Sequence, residues 1–276
     1  MSKIDQGFAP IQKGELYYEV TGSGPTVLLI HAGVADYSMW QAQFETFPEH
    51  FRVIRYDARG FGRSHTENTS FSNRQDIQDL LDHLRIDKTA VVGISRGGQI
   101  AIDYTVEHPE RVWALVIVAA GVSGYEHQRD GSEKSKIEYE MFNQMEELWE
   151  KKDFEKLTEL EVRMWADGPG QPAGRAAKHV RDELFRMIRA NDARQDGEAI
   201  PQPLEPAAIN RLGEIKVPTL VTVGDLDTTG TLAMADILEQ NIHGARKVIF
   251  SGTAHMIPME KPDQFNQVVL SFLSAI

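Results

Sequence analysis

Short apolar runs alternate along the chain with segments whose apolar residues recur at helical spacing. The run Thr26–Ile30 is almost wholly apolar, which is typical of a strand buried on both faces of a parallel sheet. In Ser72–Leu84 the apolar residues fall on one face of a helix. The predicted strands are Leu16–Val20, Thr26–Ile30, Phe51–Tyr56, Thr89–Gly93, Trp113–Ala119, Pro218–Val223 and Lys247–Phe250, and the predicted core helices are Ser72–Leu84, Gly97–Glu107 and Pro262–Leu273.

This alternation breaks between Val122 and Leu212, where no strand-like run appears. The segment is rich in charge, Met and Trp, and its pattern predicts helices at Lys134–Lys151, Asp153–Ala166 and Ala173–Ala190. The sheet pattern resumes at Pro218. We therefore predict an α/β fold, with a mostly parallel twisted sheet flanked by helices. Residues 1–121 and 213–276 would form this core domain, and residues 122–212 a helical cap inserted between two strands.

Composition narrows the classes of function. A net charge of −12 over 276 residues disfavours a nucleic-acid surface, which needs clustered Lys and Arg. The absence of cysteine excludes disulfides, thiolate zinc sites and a cysteine nucleophile. The first residues lack the apolar core of a signal peptide, and the longest apolar run, Val112–Val122, is too short to cross a bilayer. We expect a cytoplasmic monomer or homodimer with no nucleic-acid or membrane partner.

The pentapeptide Gly93-Ile94-Ser95-Arg96-Gly97 directly follows the apolar run 90–92. A serine between two glycines, placed where a strand turns into a helix, has the pattern of a nucleophile elbow. Such a turn is so tight that only small residues fit beside the serine. It lifts the serine oxygen above the sheet and points the N-terminus of the next helix at it.

The later part of the chain supplies the partners that a serine nucleophile needs. A serine hydroxyl reacts well only when a histidine takes its proton and a carboxylate orients that histidine. Asp225 and Asp227 follow the strand 218–223, and His255 follows the last predicted strand. All of these positions fall at the carboxyl ends of strands, the edge at which open α/β sheets carry their sites.

Together these motifs resemble the α/β-hydrolase superfamily, in its branch of esterases, enol-lactonases and carbon–carbon hydrolases. The resemblance covers nearly the whole chain and rests on the serine elbow and on four further segments: His31-Ala32-Gly33 through Trp40, Tyr56 through Ser64, Gly224-x-x-Asp227 and Gly252-x-x-His255. It implies Ser95 as nucleophile, His255 as general base and acid, and Asp227 as the orienting carboxylate. The family pattern Gly-x-x-Asp favours Asp227 over Asp225, for which a loop or capping role is expected.

The resemblance also predicts where a developing oxyanion would be bound. One donor would be the backbone N–H of Arg96, at the start of the helix after the serine. The other would come from the loop after the second strand, where the family has His-Gly-X and X donates. This chain reads His31-Ala32-Gly33, which places Gly33 at X. The alanine is a departure from the pattern and leaves Val34 as a competing donor.

Several other residues invite a structural interpretation. We expect His31 to be structural, and Asp57, Arg59 and Arg63 to hold the loop after their strand. The Arg96 side chain is open between a cap acid and a substrate carboxylate. A further set is expected in the cap, with its Trp and Met residues in the underside and core and most of its arginines on a solvated helix face: Trp149, Trp165, Met141, Met145, Met164, Arg163, Arg175, Arg181 and Arg186.

The leading hypothesis is a serine hydrolase of small carboxylic esters or lactones. Carbon–carbon hydrolases of vinylogous diketones, enol-lactonases, acyltransferases and perhydrolases share the same triad, so the triad does not discriminate among them. A ligand receptor on the same fold is the non-enzymatic alternative. No metal or cofactor is expected, because the histidines lack ligand spacing and no phosphate-binding glycine loop links a strand to a helix.

Overall fold

The computed structural model describes residues 3–126, 130–194 and 197–276. The remaining residues of the predicted core (1–2) and of the predicted cap (127–129 and 195–196) lie outside these ranges. The strands are β1 (Asp5–Ile11), β2 (Gly14–Gly22), β3 (Thr26–Ile30), β4 (Arg52–Tyr56), β5 (His65–Thr66), β6 (Thr69–Phe71), β7 (Thr89–Ile94), β8 (Val112–Val118), β9 (Ala199–Pro201), β10 (Thr219–Gly224) and β11 (Arg246–Phe250).

The helices surround one large sheet. They are α1 (Gln41–Thr46), α2 (Asn73–His83), α3 (Arg96–Glu107), α4 (Glu133–Glu150), α5 (Phe154–Val162), α6 (Lys178–Asp192), α7 (Thr229–Asn241), α8 (Ile257–Glu260) and α9 (Pro262–Leu273). Short 3-10 turns lie at Tyr37–Trp40, Phe47–Glu49, Pro109–Arg111, Ala208–Asn210 and Leu212–Glu214, and a π-helical turn at Arg163–Asp167 continues α5.

The large sheet has the strand order β1-β2-β4-β3-β7-β8-β10-β11, with β5 paired to β2. The pairs from β4 through β11 are parallel, whereas β1, β2 and β5 pair antiparallel at one end. The carboxyl ends of β3, β4, β7, β8, β10 and β11 therefore share one edge of the sheet. The prediction of a mostly parallel sheet flanked by helices is confirmed.

Both faces of the sheet are buried, which explains the continuous apolar runs. In β3 the side chains of Leu28 and Ile30 pack in one apolar cluster, and those of Val27 and Leu29 pack in another. Alternate residues of a strand point to opposite faces, so each face needs its own set of apolar residues. Helices α2, α3 and α7 cover one face, and α1 and α9 cover the other.

The segment between β8 and β10 carries α4, α5 and α6. Helix α6 packs on the core through a row at helical spacing, Val180, Leu184, Met187 and Ile188, which joins the cluster beneath α9. A smaller cluster of Met141, Leu160 and Met164 holds α4 to α5 and the π-helical turn. The predicted helices thus exist, but the third begins at Lys178, five residues later than Ala173.

Four strands, β1, β5, β6 and β9, lie where none was predicted. Strand β9 falls inside residues 122–212, so the prediction that this segment holds no strand is wrong: β9 pairs in parallel with β6 in a small separate sheet. Strand β1 was missed because Gly7 and Pro10 weaken its local pattern. It exists because it pairs antiparallel with β2 over its full length. In the described ranges no helix is both long and apolar enough to span a lipid bilayer.

Candidate active site

Ser95 occupies a strained turn between β7 and α3. Its backbone adopts φ 55° and ψ −121°, a conformation that residues other than glycine rarely adopt. The surrounding glycines make the turn possible: a Cβ at Gly93 would lie 2.2 Å from the carbonyl oxygen of Gly97, and a Cβ at Gly97 would lie 2.4 Å from that of Ile30. The strand and the helix meet so closely that residues 93 and 97 have no room for a side chain, and the glycines at these positions let the chain form the elbow.

The Ser95 hydroxyl is not used to stabilise the helix that it precedes. Serine before a helix usually accepts a hydrogen bond from an N–H group of the first turn. Here Ser95 occupies the N-cap position without such a bond, and its side chain is partly exposed. Ser95 thus combines a strained backbone with a hydroxyl that has no hydrogen-bond partner among the described residues.

Asp227 and His255 form a buried pair at the same edge of the sheet. The Nδ1 of His255 lies 2.8 Å from Oδ2 and 3.0 Å from Oδ1 of Asp227, and the two residues are only 4% and 1% exposed. A carboxylate only accepts, so Nδ1 carries the proton and donates it. The Asp227 carboxylate also accepts the N–H of Thr228 at 2.7 Å, which holds it in place.

The other candidate acid lies in a different environment. Asp225 accepts the N–H of Gly252 at 2.7 Å and contacts the Ser251 hydroxyl at 3.0 Å, so it ties together the two loops that carry Asp227 and His255. Asp225 is exposed, whereas Asp227 is buried. The structure therefore gives Asp225 the loop role that was expected of it and places Asp227 on the histidine.

The second ring nitrogen of His255 is buried and unpartnered. Its Nε2 has no hydrogen-bond partner within the described ranges, so Ser95 and His255 are not hydrogen-bonded to each other. A buried polar atom without a partner costs free energy and calls for an explanation. Hydrogen bonds of catalytic groups are often long in the absence of substrate and shorten in the reacting complex.

The two predicted oxyanion donors are neighbours. A Cβ at Gly33 would lie 3.4 Å from both Cβ and Cδ of Arg96, so the loop after β3 lies directly against the start of α3. The first N–H groups of a helix have no acceptor inside it, and they bear partial positive charge. This arrangement can direct the Arg96 N–H and an N–H of the β3 loop at one oxygen.

The π-helical turn Arg163–Asp167, which lies in the predicted cap, packs on His255. The rings of Trp165 and His255 have centroids 4.8 Å apart, and the backbone N–H of His255 donates to the backbone carbonyl of Trp165 at 3.2 Å. Trp165 was expected in the underside or core of the cap. Its contact with His255 joins residues 90 positions apart, so no local pattern signals it.

Arg175 anchors this turn to the histidine loop. Its guanidinium donates to the carbonyl oxygens of Ala166, Asp167 and Gly252, and it pairs with Glu260 at 2.6 Å. Glu260 in turn accepts the N–H of Ala254, the residue before His255, at 2.9 Å. The expectation that most cap arginines lie on a solvated helix face is wrong for Arg175, which precedes α6 and is largely buried.

Arg181 departs from the same expectation, because it pairs with the buried carboxylate of Asp167. Arg186 matches it: this side chain is exposed and lies 3.8 Å from Asp36. The predicted cap thus contacts the rest of the chain at the bonded corner beside His255 and through the apolar row of α6. It also contacts α7 through Glu138, which accepts the N–H and the hydroxyl of Thr229 at 2.8 and 2.6 Å.

His31 and the loop after β4 have structural partners. The Nε2 of His31 accepts the N–H of Ala58 at 2.9 Å, and its Nδ1 lies 2.7 Å from the Ala32 carbonyl oxygen. Burial lowers the pKa of His31 to about 4. Arg59 forms a two-pronged ion pair with Asp76, with distances of 2.9 and 2.7 Å.

Asp57 and Arg63 also hold this loop. The Asp57 carboxylate accepts the N–H groups of Tyr37 and Arg63 at 2.8 and 2.7 Å, and the Arg63 guanidinium lies over the Tyr17 ring at 3.7 Å. In the described chain no group of three or more acidic or histidine side chains is placed to hold a metal ion.

Known proteins with the same organisation match the chain over nearly its full length. The 2-hydroxy-6-oxo-6-phenylhexa-2,4-dienoate hydrolase of Comamonas testosteroni is 27% identical over 300 residues, which covers 99% of each chain. The 3-oxoadipate enol-lactonase 1 of Acinetobacter baylyi is 24% identical over 290 residues and covers both chains fully. The structure of a thermophilic esterase from Thermogutta terrifontis superposes with a TM-score of 0.74 at 22% identity, over 99% of each chain.

A family model described as the alpha/beta hydrolase fold matches residues 25–262, from the start of β3 to the start of α9. The match thus contains the serine elbow, both acidic candidates and His255. Fold, relatives and family model agree, and they support the coarser prediction of a hydrolase. By its sequence and its architecture, this chain belongs to the α/β-hydrolase family.

Proposed function

We propose that the protein is a serine hydrolase of small carboxylic esters or lactones, with Ser95, His255 and Asp227 as its catalytic triad. The observation that carries this proposal is the buried His255, which is oriented by Asp227 through Nδ1 and keeps Nε2 unpartnered. At the same sheet edge, Ser95 keeps its hydroxyl free on a strained turn. A base with a spare nitrogen and an uncommitted nucleophile are what acyl transfer requires.

In this mechanism the Ser95 oxygen attacks the carbonyl carbon while Nε2 of His255 takes the hydroxyl proton. The tetrahedral oxyanion is bound by the backbone N–H groups of Arg96 and Gly33. His255 then gives its proton to the leaving alcohol, and an acyl-enzyme remains on Ser95. Water, deprotonated by the same nitrogen, releases the acid. Asp227 holds the productive tautomer and stabilises the imidazolium that forms in each step.

A second candidate is hydrolysis of a carbon–carbon bond in a vinylogous diketone. The relative from Comamonas testosteroni, which covers 99% of this chain, is by name a hydrolase of such a compound. The relative from Acinetobacter baylyi is an enol-lactonase, which lies within the first proposal. The residues that we propose for catalysis are the same for both reactions, so the substrate must discriminate between them.

The test is steady-state hydrolysis of 4-nitrophenyl acetate, butyrate and octanoate by the wild type, Ser95→Ala and Ser70→Ala. Ser70 is exposed on the small sheet and serves as a matched control. We expect turnover by the wild type and Ser70→Ala. Because Ser95→Ala removes the nucleophile, we expect it to lower kcat/KM by at least about a thousandfold. The dependence on acyl length measures the size of the pocket.

Equal ester hydrolysis by the wild type and Ser95→Ala would contradict a serine mechanism. If the wild type leaves all three esters intact but cleaves a 2-hydroxy-6-oxo-dienoate in a Ser95-dependent way, the second candidate replaces the first. The wild type and Ser95→Ala, each incubated with the dienoate and followed by loss of its visible absorbance, provide that comparison.

A further inference from the structure

Arg96, the residue after Ser95, carries a guanidinium group that has no acidic partner in the part of the chain that the structure describes. It is partly buried, and its Cζ lies 4.7 Å from the centre of the Phe61 ring. Within residues 3–126, 130–194 and 197–276 no hydrogen bond or ion pair joins its guanidinium to another residue. The arginines that are more deeply buried in these ranges are all ion-paired: Arg55 with Glu19, Arg59 with Asp76, and Arg74 with Glu107.

Burying a cation without a counter-charge is costly, so proteins pair such groups or leave them for a ligand. Asp76 is the acid whose charge acts on the Arg96 guanidinium. Both of its carboxylate oxygens, however, accept hydrogen bonds from Arg59, at 2.7 and 2.9 Å. Burial lowers the pKa of the Arg96 guanidinium, but an arginine stays protonated at neutral pH. Arg96, which follows Ser95 in the chain, therefore carries a positive charge that no acidic side chain pairs with in the described ranges.

Arg96 is one of the residues that line a cavity of about 450 Å³ on the flank of α3. One wall is the face of α3 that carries Arg96, Gln99 and Asp103, and the opposite walls are the start of α2 and the segment 201–203. The volume lies in the range of sites that bind small molecules, roughly 300–1,000 Å³. Its lining is rich in amide and guanidinium donors, which suits an anionic ligand.

The charges in this cavity indicate how much negative charge a ligand would bring. Arg74 is neutralised by Glu107 and also donates to the carbonyl of Gln202 at 3.2 Å. The Asp103 carboxylate accepts the hydroxyl of Ser123 at 2.7 Å, and burial raises the pKa of Asp103. Arg96 is left as a single unpaired cation. One carboxylate matches it in charge and in the planar geometry that guanidinium groups bind best.

Arg96 belongs both to the wall of this cavity and to the residues proposed for catalysis. Its Cβ and Cδ lie against Gly33, and its backbone N–H is one of the two donors proposed for the oxyanion. We propose that Arg96 binds a carboxylate of the substrate, so that the preferred esters or lactones carry a second, free carboxylate on their acyl part. This inference rests on the proposed function and names the substrate class of the same site.

The experiment compares two esters of nearly equal shape, mono-4-nitrophenyl glutarate and 4-nitrophenyl pentanoate, in which a carboxylate replaces a methyl group. We expect the wild type to prefer the glutarate by at least about tenfold in kcat/KM. The preference should fall by roughly 10- to 100-fold in Arg96→Met, because a charge-assisted hydrogen bond is lost. Arg96→Lys, which keeps the charge, should retain part of it.

Arg74→Met is the matched control. It removes one positive charge from the same cavity, but a charge that Glu107 already neutralises. The glutarate preference should change by less than about threefold, as expected for a cation that does not bind the ligand. A ratio of two esters within one variant cancels any general loss of activity, including any disturbance at the backbone of residue 96.

Binding of free glutarate, measured by calorimetry, tests the same contact without catalysis. Competitive inhibition of pentanoate hydrolysis, with binding lost in Arg96→Met, supports the inference. Binding that inhibits non-competitively would overturn it in favour of a separate effector site. Unaltered selectivity in Arg96→Met would overturn it while ester hydrolysis stands. If the wild type hydrolyses neither ester, the proposed function fails, and the glutarate binding of the two proteins alone decides the role of Arg96.

Discussion

Two buried histidines lie at the carboxyl edge of the same sheet, and their ring nitrogens are used differently. His31 follows β3, and it satisfies both nitrogens with the backbone groups of Ala32 and Ala58. His255 follows β11, and it satisfies only Nδ1, through Asp227, while Nε2 has no partner in the described chain. The two residues are about equally inaccessible, at 2% and 4% exposure.

This difference shows that burial at the edge of a sheet does not identify a proton-transfer group. Burial lowers the pKa of His31 to about 4, so at neutral pH this ring is uncharged and has no free nitrogen with which to exchange a proton. His255 is held by the Asp227 carboxylate through Nδ1, and in the described chain its Nε2 is left without a partner, which is why we propose it as the base. A buried hydrogen-bonding atom left without a partner is therefore the more informative signal.

The largest expected effect comes from removing the orienting carboxylate. Asp227→Asn should lower kcat for the preferred ester by roughly 10²- to 10⁴-fold, because an amide no longer holds the Nδ1–H tautomer or stabilises the imidazolium. Asp225→Asn is the matched control, since its partners are loop groups at residues 251 and 252. Steady-state kinetics of the two variants decide the matter, and equal losses in both would remove Asp227 from the proposed triad.

The second effect concerns the stability that His31 provides. Its pKa is about 4 in the folded protein and 6.5 in an unfolded chain, so the unfolded chain binds more protons between these values. Relative to His31→Gln, the wild type should be most stable above pH 6.5. It should lose up to about 3 kcal/mol of that advantage as the pH falls towards 4.

Urea unfolding of both proteins from pH 7.5 to 4.5 measures this difference. Every other titrating group is the same in the two proteins and cancels in the comparison. Arg96 and Asp36 also affect the pKa of His31, so both proteins must contain them. A difference between the two proteins that does not change with pH would mean that His31 is not held neutral by its surroundings. The contrast between the two histidines would then lose its basis.

The smallest expected effect tests whether the cap helps to hold His255. Arg175→Met should lower kcat by about tenfold with little change in KM, because the loop carrying His255 loses its ties through Gly252 and Glu260. Glu260→Gln should also lower kcat. The loss of activation free energy in the double variant should not exceed the sum of the losses in the two single variants. Arg186→Met, which removes an exposed cap arginine, is the control. Equal kinetics of Arg175→Met and Arg186→Met would show that the anchored corner does not position the base.

Sequence patterns predicted the parts of the fold that depend on neighbouring residues. The bounds of β3 and α9 agree with the prediction to the residue, because a continuous apolar run and an amphipathic period each carry their signal locally. Strands β1, β5, β6 and β9 were not found, since each is defined by its partner strand rather than by its own residues. Family and fold class are confirmed, whereas the catalytic roles stay predictions that the geometry supports.

The candidate site divides in the same way. Motifs predict the elbow around Ser95 and the order of serine, aspartate and histidine, and the family pattern Gly-x-x-Asp indicates Asp227 as the acid. The contact between Trp165 and His255 and the pair of Arg175 with Glu260 join residues 90 and 85 positions apart. No local pattern encodes such contacts.

The sequence by itself thus determined the sheet, the elbow and the order of the proposed serine, aspartate and histidine, because these follow from short-range packing and from spacing along the chain. Only the tertiary structure decided which polar atoms are left without partners. His31 and His255, like Arg59 and Arg96, look alike as sequence. They differ because distant segments supply His31 with a second hydrogen bond and Arg59 with a counter-charge. In the described chain, His255 keeps one ring nitrogen without a partner, and Arg96 has only an aromatic ring beside its charge.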